Sequence, residues 1–443
     1  MTAPWRIGLL TLALGISQAF GDTLVVESRK LFDGSRVIEQ ARLVIEDGRV
    51  VAVGPRGEVS LPDGARVEDL GEQVVIPGMI AAHSHVGMVS GLEHGGGHYT
   101  RENVLRDLRQ YRDHGYTLVN ALGLNAPLFH ELRQAYRGAG HQGADLYGAG
   151  PGIGARGGVP PIAAMNLRDE QAVRPTTAEE GRQAVRNMAE QGVDLIKIWL
   201  QAGGEDDVKL PPEVYQAAIE QAHALGLRVA AHIHDLEDAR AMVDAGVDII
   251  AHGVRDQPVD KAFIQAMRDS DTWYIPTVNI DEAEYVYAEH PEWLEDPFFS
   301  RAFSQPLREA IASQAWRDEA LQGGDESRRS VAMNIENLRQ LHRGGVSIGF
   351  GTDSGATALR VPGIAEYLEM RHMASAGMTA RQVLAAATRR SADMLGLEDR
   401  GSLQAGSVAD FVVLSGDPLE DIDAIRSVEQ VWRYGQREYQ AAP

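Results

Sequence analysis

Short apolar runs and stretches of helical periodicity alternate along the middle of the chain, and they do so eight times. The apolar runs end near His85, Leu122, Gly150, Leu200, His232, His252, Pro276 and Asp353. Stretches with helical spacing intervene at 102–114, 128–137, 178–191, 212–225, 236–245, 260–268, 329–343 and 364–376, and a last one spans 380–395. A strand followed by a helix, repeated at this spacing, predicts parallel pairing with a crossover helix at each step. Eight repeats predict an α/β fold, a (β/α)8 TIM-like barrel over 77–395.

The flanks have a different texture. Residues 22–76 and 396–443 carry short β-branched runs, among them Leu24-Val25-Val26, Leu43-Val44-Ile45 and Phe411-Val412-Val413-Leu414. Asp47-Gly48 stands between two such runs, the signature of a two-residue hairpin turn. Together these pieces predict a small β-sandwich domain built from both chain ends. One connection is too long for a simple loop: 281–328, after the seventh strand, with Tyr285, Tyr287, Trp293, Phe298, Phe299, Phe303 and Trp316. Emerging from a strand's C-terminal end places it on the face where barrels keep their active sites, so it is expected to form a lid. Its aromatics would also serve to pack its own helices.

Charge and composition narrow the partners. Lys+Arg 42 against Asp+Glu 63 gives a formal net charge of -21, with no basic stripe, which argues against nucleic acid. Arg6 followed by the apolar run from Ile7 to Ile16, then small residues before Gly21, predicts a signal peptide over 1–21. With Cys 0 there is neither a disulfide nor a lipid-bearing cysteine. The expectation is a periplasmic or secreted protein with no membrane attachment after cleavage, a small-molecule substrate as partner, and a homo-oligomer compatible with the chain.

The candidate chemistry sits at the strand ends. In Ala82-His83-Ser84-His85, alternate side chains of an extended strand share a face, so both imidazoles point the same way. The fifth strand ends in His232-Ile233-His234, the sixth in His252 and the eighth in Gly351-Thr352-Asp353. A single His-x-His is weak, but four strands ending in ligand-type residues point to a metal centre. The fourth strand, Leu195-Ile196-Lys197-Ile198-Trp199, places a lysine where a core strand is ordinarily apolar. A buried ammonium needs a carboxylate partner, or else it is a neutral amine free to capture carbon dioxide as an anionic carbamate.

This constellation resembles the amidohydrolase superfamily, in its imidazolonepropionase-like and metal-dependent dipeptidase branch. The stretch Gly351-Thr352-Asp353-Ser354-Gly355 and the tail Gly401-Ser402-Leu403-Gln404-Ala405-Gly406 are similar to that family as well. The resemblance implies a binuclear hydrolase that cleaves an amide-type C–N bond in a small molecule by a metal-bridging hydroxide. His83, His85 and Asp353 would hold one divalent ion, His232 and His252 the other, and a carbamate on Lys197 would bridge them. Zinc is the expected metal. Asp353 would move the proton and His234 would polarise the carbonyl. An esterase or lactonase using the same site is the alternative within enzymes, and a catalytically silent periplasmic binder the alternative outside them.

Substrate contacts are expected from loops. Dipeptidase-like relatives carry a Gly-Gly-His turn after the third strand, whereas Gly157-Gly158-Val159 has valine there, which argues against dipeptides. Arg156 beside it is a candidate to meet a carboxylate or carbonyl. His94 and His98, in the glycine-rich run after the first strand, are candidates for a mobile substrate-contact loop.

Overall fold

A computed structural model describes residues 23–442, so the predicted leader lies outside the described residues. Strands β1 (Leu24–Phe32), β2 (Val37–Glu46), β3 (Arg49–Pro55), β4 (Arg66–Asp69) and β5 (Val74–Pro77) come first. The barrel strands then begin with β6 (Met79–Ser84), interrupted by a small hairpin of β7 (Val89–Ser90) and β8 (Glu93–His94). They continue as β9 (Tyr116–Ala121), β10 (Asp145–Gly148), β11 (Ile196–Trp199), β12 (Val229–His232), β13 (Ile249–Ile250), β14 (Trp273–Tyr274) and β15 (Ser347–Ile348). The chain returns through β16 (Phe411–Leu414), β17 (Val428–Arg433) and β18 (Gln436–Gln440).

All eight barrel strands pair in parallel, β6 with β9 and β9 with β10, and β11 to β15 in sequence. Single parallel bridges join the two groups, Ile153 with Ile198 on one side and Ser84 with Ser354 on the other. The result is the expected (β/α)8 TIM-like barrel. A helix follows each strand, from Arg101–Asp113 after the first to Ile364–Ser375 after the eighth. Several are capped as their sequences predict, with Thr100, Thr177 and Asp260 each accepting a first-turn N–H. The predicted helix at 380–395 passes through a π turn at Ala386–Arg390, where Ser391 Oγ reaches back to the Ala386 carbonyl (2.8 Å).

The two chain ends interleave in one eight-stranded sheet, in the order β18-β17-β16-β5-β1-β2-β3 with β4 also on β1. Asp47 and Gly48 both take positive φ (49° and 73°), as the hairpin joining β2 to β3 requires. Strand alternation splits the side chains between two cores. Val75, Phe411, Val413 and Trp432 join Leu24, Leu43 and Val50 in a core of the sheet's own, around which it curls. Val74, Ile76, Val412, Leu414 and Val431 face the other way, into the barrel core. The chain-end domain is thereby welded to the barrel floor.

The connection at 281–328 is helical throughout, from Asn279–Glu282 to Gln314–Gly323. Its aromatics pack its own layer and seat it on the barrel flank. Trp293 stacks on Phe299 at 4.1 Å, and Phe298 and Phe299 meet Tyr367 of the eighth barrel helix edge-on at 5.5 and 5.8 Å. The layer also reaches the composite sheet, through Arg301 to the Tyr439 hydroxyl (3.1 Å).

A buried charge cluster ties the floor together. Asp145 on β10 is fully buried and contacts Arg433, Arg400 (3.0 Å), His141 (3.1 Å) and the Tyr434 hydroxyl (2.8 Å). Burial pushes its carboxyl up, but the His141 hydrogen bond and the two guanidiniums outweigh that and hold it below the ordinary range. Its stabilising contribution is therefore present at neutral pH and lost as pH falls below the ordinary carboxylate value. Asp145→Asn is expected to cost about 3–5 kcal/mol at neutral pH, leaving buried cations unpaired. In urea melts, the gap to wild type should narrow as the solution is acidified.

Candidate metal centre

The site forms where the first and last strands meet. Gly351 lies against β6 so closely that a Cβ there would stand 2.5 Å from His83 Cβ, so only glycine permits the approach. Just beyond it the N–H groups of Thr352 and Asp353 both donate to the His83 carbonyl (3.0 and 2.9 Å). That brings Asp353 Oδ1 to 3.1 Å from His83 Nε2 and 3.0 Å from His85 Nε2. The His252 ring lies 4.6 Å from that of His83 and 4.4 Å from that of His232. Donor atoms of His83, His252 and Asp353, all buried, fall within 4.8 Å of one another, a group able to hold a metal ion.

Lys197 enters from β11. Its stem passes Gly152, where a Cβ would stand 3.3 Å from Lys197 Cβ and 2.2 Å from the Trp199 ring. The side chain is fully buried, and its Nζ has no hydrogen-bond partner among the described residues. Both ring nitrogens of His83 and Nδ1 of His85 also lack aligned partners. Thr277 Oγ1 sits 3.0 Å from His252 Nδ1, leaving Nε2 as that ring's open nitrogen. His232 Nε2 instead meets Gln201 Oε1 at 2.5 Å.

Protonation follows from burial. Desolvation, with the neighbouring Lys197, drives His83 down to about 3, and desolvation holds His232 and His252 well below the usual imidazole value. Desolvation lowers Lys197 to about 7. Burial pushes Asp353 up, but His83, His85 and Arg360 outweigh it, and the carboxylate stays ionised well below the ordinary range. Neutral imidazoles, an ionised carboxylate and an amine that sheds its proton near neutrality are the states in which such groups bind cations. Unpartnered buried nitrogens in these states fit divalent metal.

His234 Nδ1 meets Asp235 Oδ1 at 2.6 Å, and the half-buried ring lines a cavity with Arg255, Asp281 and Met333. Asp235 is the N-cap residue of the helix that starts at Leu236. Arg156 is exposed, and its charge acts on Glu180 in the first turn of the helix at Ala178–Glu190. The arginine that fills its loop is Arg174, which donates to the carbonyls of Ala155 (2.6 Å) and Val159 (3.2 Å). His94 pairs with Val89 across the small hairpin and is lowered by burial and by Arg360, while His98 lies 3.5 Å from Glu93.

Two arginines that no motif had marked stand at the centre. Arg360 Nη1 is 2.5 Å from Asp353 Oδ2. Buried Arg255 pairs with Asp281 (3.2 Å) and donates to the Gly253 carbonyl (3.0 Å). The available signal was position, since each follows a ligand-type residue at a strand end by three to seven places.

The model of the amidohydrolase family matches residues 74–437. The chain belongs to the amidohydrolase family. As an amidohydrolase it is a hydrolase acting on carbon–nitrogen bonds, in a family that uses divalent metals. It is 25% identical over 390 residues to an uncharacterised protein of Mycobacterium tuberculosis, covering 86% of this chain and 87% of that one. It is 25% identical over 269 residues to the ochratoxinase of Aspergillus niger, covering 58% of this chain and 48% of that enzyme. The crystal structure of a Xaa-Pro dipeptidase with methionine bound superposes with a TM-score of 0.73 at 25% identity, over 95% of this chain and 100% of that one.

The unpartnered lysine makes a stability prediction for the metal-free amidohydrolase. Its folded pKa, about 7, lies below its ordinary 10.5. Between those values the unfolded chain holds more protons, so wild-type stability rises with pH across that window. Lys197→Met, of similar length and uncharged, should therefore stabilise metal-free protein most at pH 7 and below. The gain should vanish toward pH 10.5, as read in urea melts.

Proposed function

We propose that this amidohydrolase holds two divalent ions, zinc in the first instance, and cleaves an amide-type C–N bond in a small molecule. The observation that carries the reading is Lys197 Nζ, fully buried and unpartnered beside three neutral histidines. Such an amine is reactive toward carbon dioxide, and the carbamate would supply the negative charge that two adjacent cations need. His83, His85 and Asp353 would hold one ion. His232, released from Gln201, and His252 would hold the other. Zinc suits imidazole and carboxylate donors. Bound there, the pair would acidify a water and polarise the scissile carbonyl.

The chain's own residues do the rest. Asp353 takes the proton from the attacking water and delivers it to the leaving nitrogen. Arg360, on the far oxygen of that carboxylate, keeps it ionised and fixes its plane. Thr277 holds the His252 ring so that Nε2 faces the centre. His94, on the small hairpin and within the field of Arg360, would touch substrate. The same residues would attack an ester or lactone carbonyl. A screen of N-acyl amino acids, dipeptides, aryl amides and lactones separates these substrates. We also propose export to the periplasm or medium through 1–21, on the charge and hydropathy of that segment.

Elemental analysis of loaded protein should find close to two ions per chain, and Lys197→Ala should lose one of them with nearly all activity while circular dichroism is unchanged. Short carboxylic acids in solution should restore part of both. Active protein with one ion per chain would overturn the two-ion centre.

Asp353→Asn keeps the shape and removes the proton acceptor. Turnover should fall by about 10²–10⁴, measured on protein whose metal content has been checked. Near-normal turnover would assign the proton transfer to another group.

A further inference from the structure

Asp353 sits in a conformation it would not choose. Its φ is 62°, the left-handed region that a residue with a Cβ disfavours. The residues on either side of it, Thr352 and Ser354, are both tied to one group. Glu366, in the first turn of the eighth barrel helix, is fully buried. Its Oε1 accepts from Thr352 Oγ1 (2.7 Å) and from Ser354 Oγ (2.5 Å), and its Oε2 accepts from the Gly363 N–H (2.6 Å). With its own proton given to Glu366, Ser354 Oγ accepts from the Tyr111 hydroxyl (2.6 Å) on the first barrel helix. Thr352 Oγ1 in turn accepts from the Ser354 N–H (3.1 Å).

Apolar packing would hold a loop at lower cost than a buried carboxylate. What a carboxylate adds is direction, because it accepts only and so orders every hydroxyl around it. We infer that Glu366 is a positioning residue for hydrolysis: by anchoring Thr352 and Ser354 it fixes the left-handed turn that aims the Asp353 carboxylate at the histidine cluster. The inference rests on the reading of Asp353 as the proton acceptor. The hydrogen bonds of the Glu366 carboxylate go to Thr352, Ser354 and Gly363, so its effect is carried by the loop.

Glu366→Gln tests this, since the amide keeps the shape but presents N–H groups to one of three existing donors. In metal-loaded protein, kcat on the best amide from the screen should fall by about 10–100-fold, the usual scale for outer-shell partners. KM should stay within about two-fold, the pattern of an interaction that matters in the transition state. Metal content should be unchanged. In metal-free protein, hydrogen exchange over 350–356 should quicken while the rest of the barrel keeps its protection. If Glu366→Gln proves too unstable to purify, Tyr111→Phe removes the outer link alone and should lower kcat in the same direction by less. Wild-type kcat in folded Glu366→Gln or, failing that protein, in Tyr111→Phe overturns the inference, as does a loss that tracks metal content or melting temperature alone. Asp353→Asn assayed alongside separates the two levels. If that protein is active, the proton-acceptor reading has failed. If it is inactive while Glu366→Gln is normal, only the role of Glu366 has failed.

Discussion

The contact of Asp353 with His83 and His85 is where the barrel closes and where its chemistry begins. The eighth strand reaches the first through the two N–H bonds from Thr352 and Asp353 to the His83 carbonyl. Those bonds put the Asp353 carboxylate against the two imidazoles. Closure of the ring and assembly of the ligand set are therefore one event. Gly351 has to be glycine for the same reason, since any Cβ would hold the two strands apart. A side chain there would open the seam and disperse the ligands together.

That economy has an electrostatic cost. His83, Lys197 and Arg360 crowd one buried carboxylate, and the lysine has nothing to bond to. A fold selected for stability alone would have filled these positions with apolar side chains. The strain is affordable because the opposite end of the barrel is over-determined. There Asp145 binds two guanidiniums, an imidazole and a phenol, and the composite sheet locks both chain ends onto the floor. Stability is concentrated at the closed end and reactive, unpartnered groups at the open one.

Much of this was legible in the chain. The eight alternations of period place all eight strands within a few residues, because strands buried on both sides must be apolar throughout and helices between them must be amphipathic. The chemistry at strand ends was legible because polar ligand types interrupt apolar runs, as Lys197, His83 and His252 do. What was not legible depends on loop path. His234 follows the pattern of His85 in sequence, and its contact with Asp235, at the start of the helix after β12, carries no sequence signal. Arg174, farther along the same connection as the exposed Arg156, satisfies that loop's carbonyls, a division of roles that no motif marks. Arg360 and Glu366 carry no motif, since their roles arise only when the eighth strand's loop folds back over its own end.

The same distinction bears on how one centre serves different substrates. Two cavities reach the arginines beside the histidine cluster, one at Arg360 and the other at Arg255, and the helical layer after β14 contributes to both. One is walled by Phe303 and Leu307 of that layer together with Val89, Arg360 and Pro362. The other is formed by Asp281, Glu326 and Met333 with His234 and Arg255. The first has an apolar wall with a guanidinium at its inner end, and the second is charged on most sides. The ligand residues belong to the barrel's strand ends, whose geometry is fixed by sheet pairing. Phe303 and Leu307 in the first wall belong instead to a layer held by aromatic stacking. Under the proposed reading, the bond cleaved is set by the barrel and the molecule that carries it by the layer. Selectivity would then be altered by substitutions at Phe303 or Leu307, far in sequence from any proposed ligand residue.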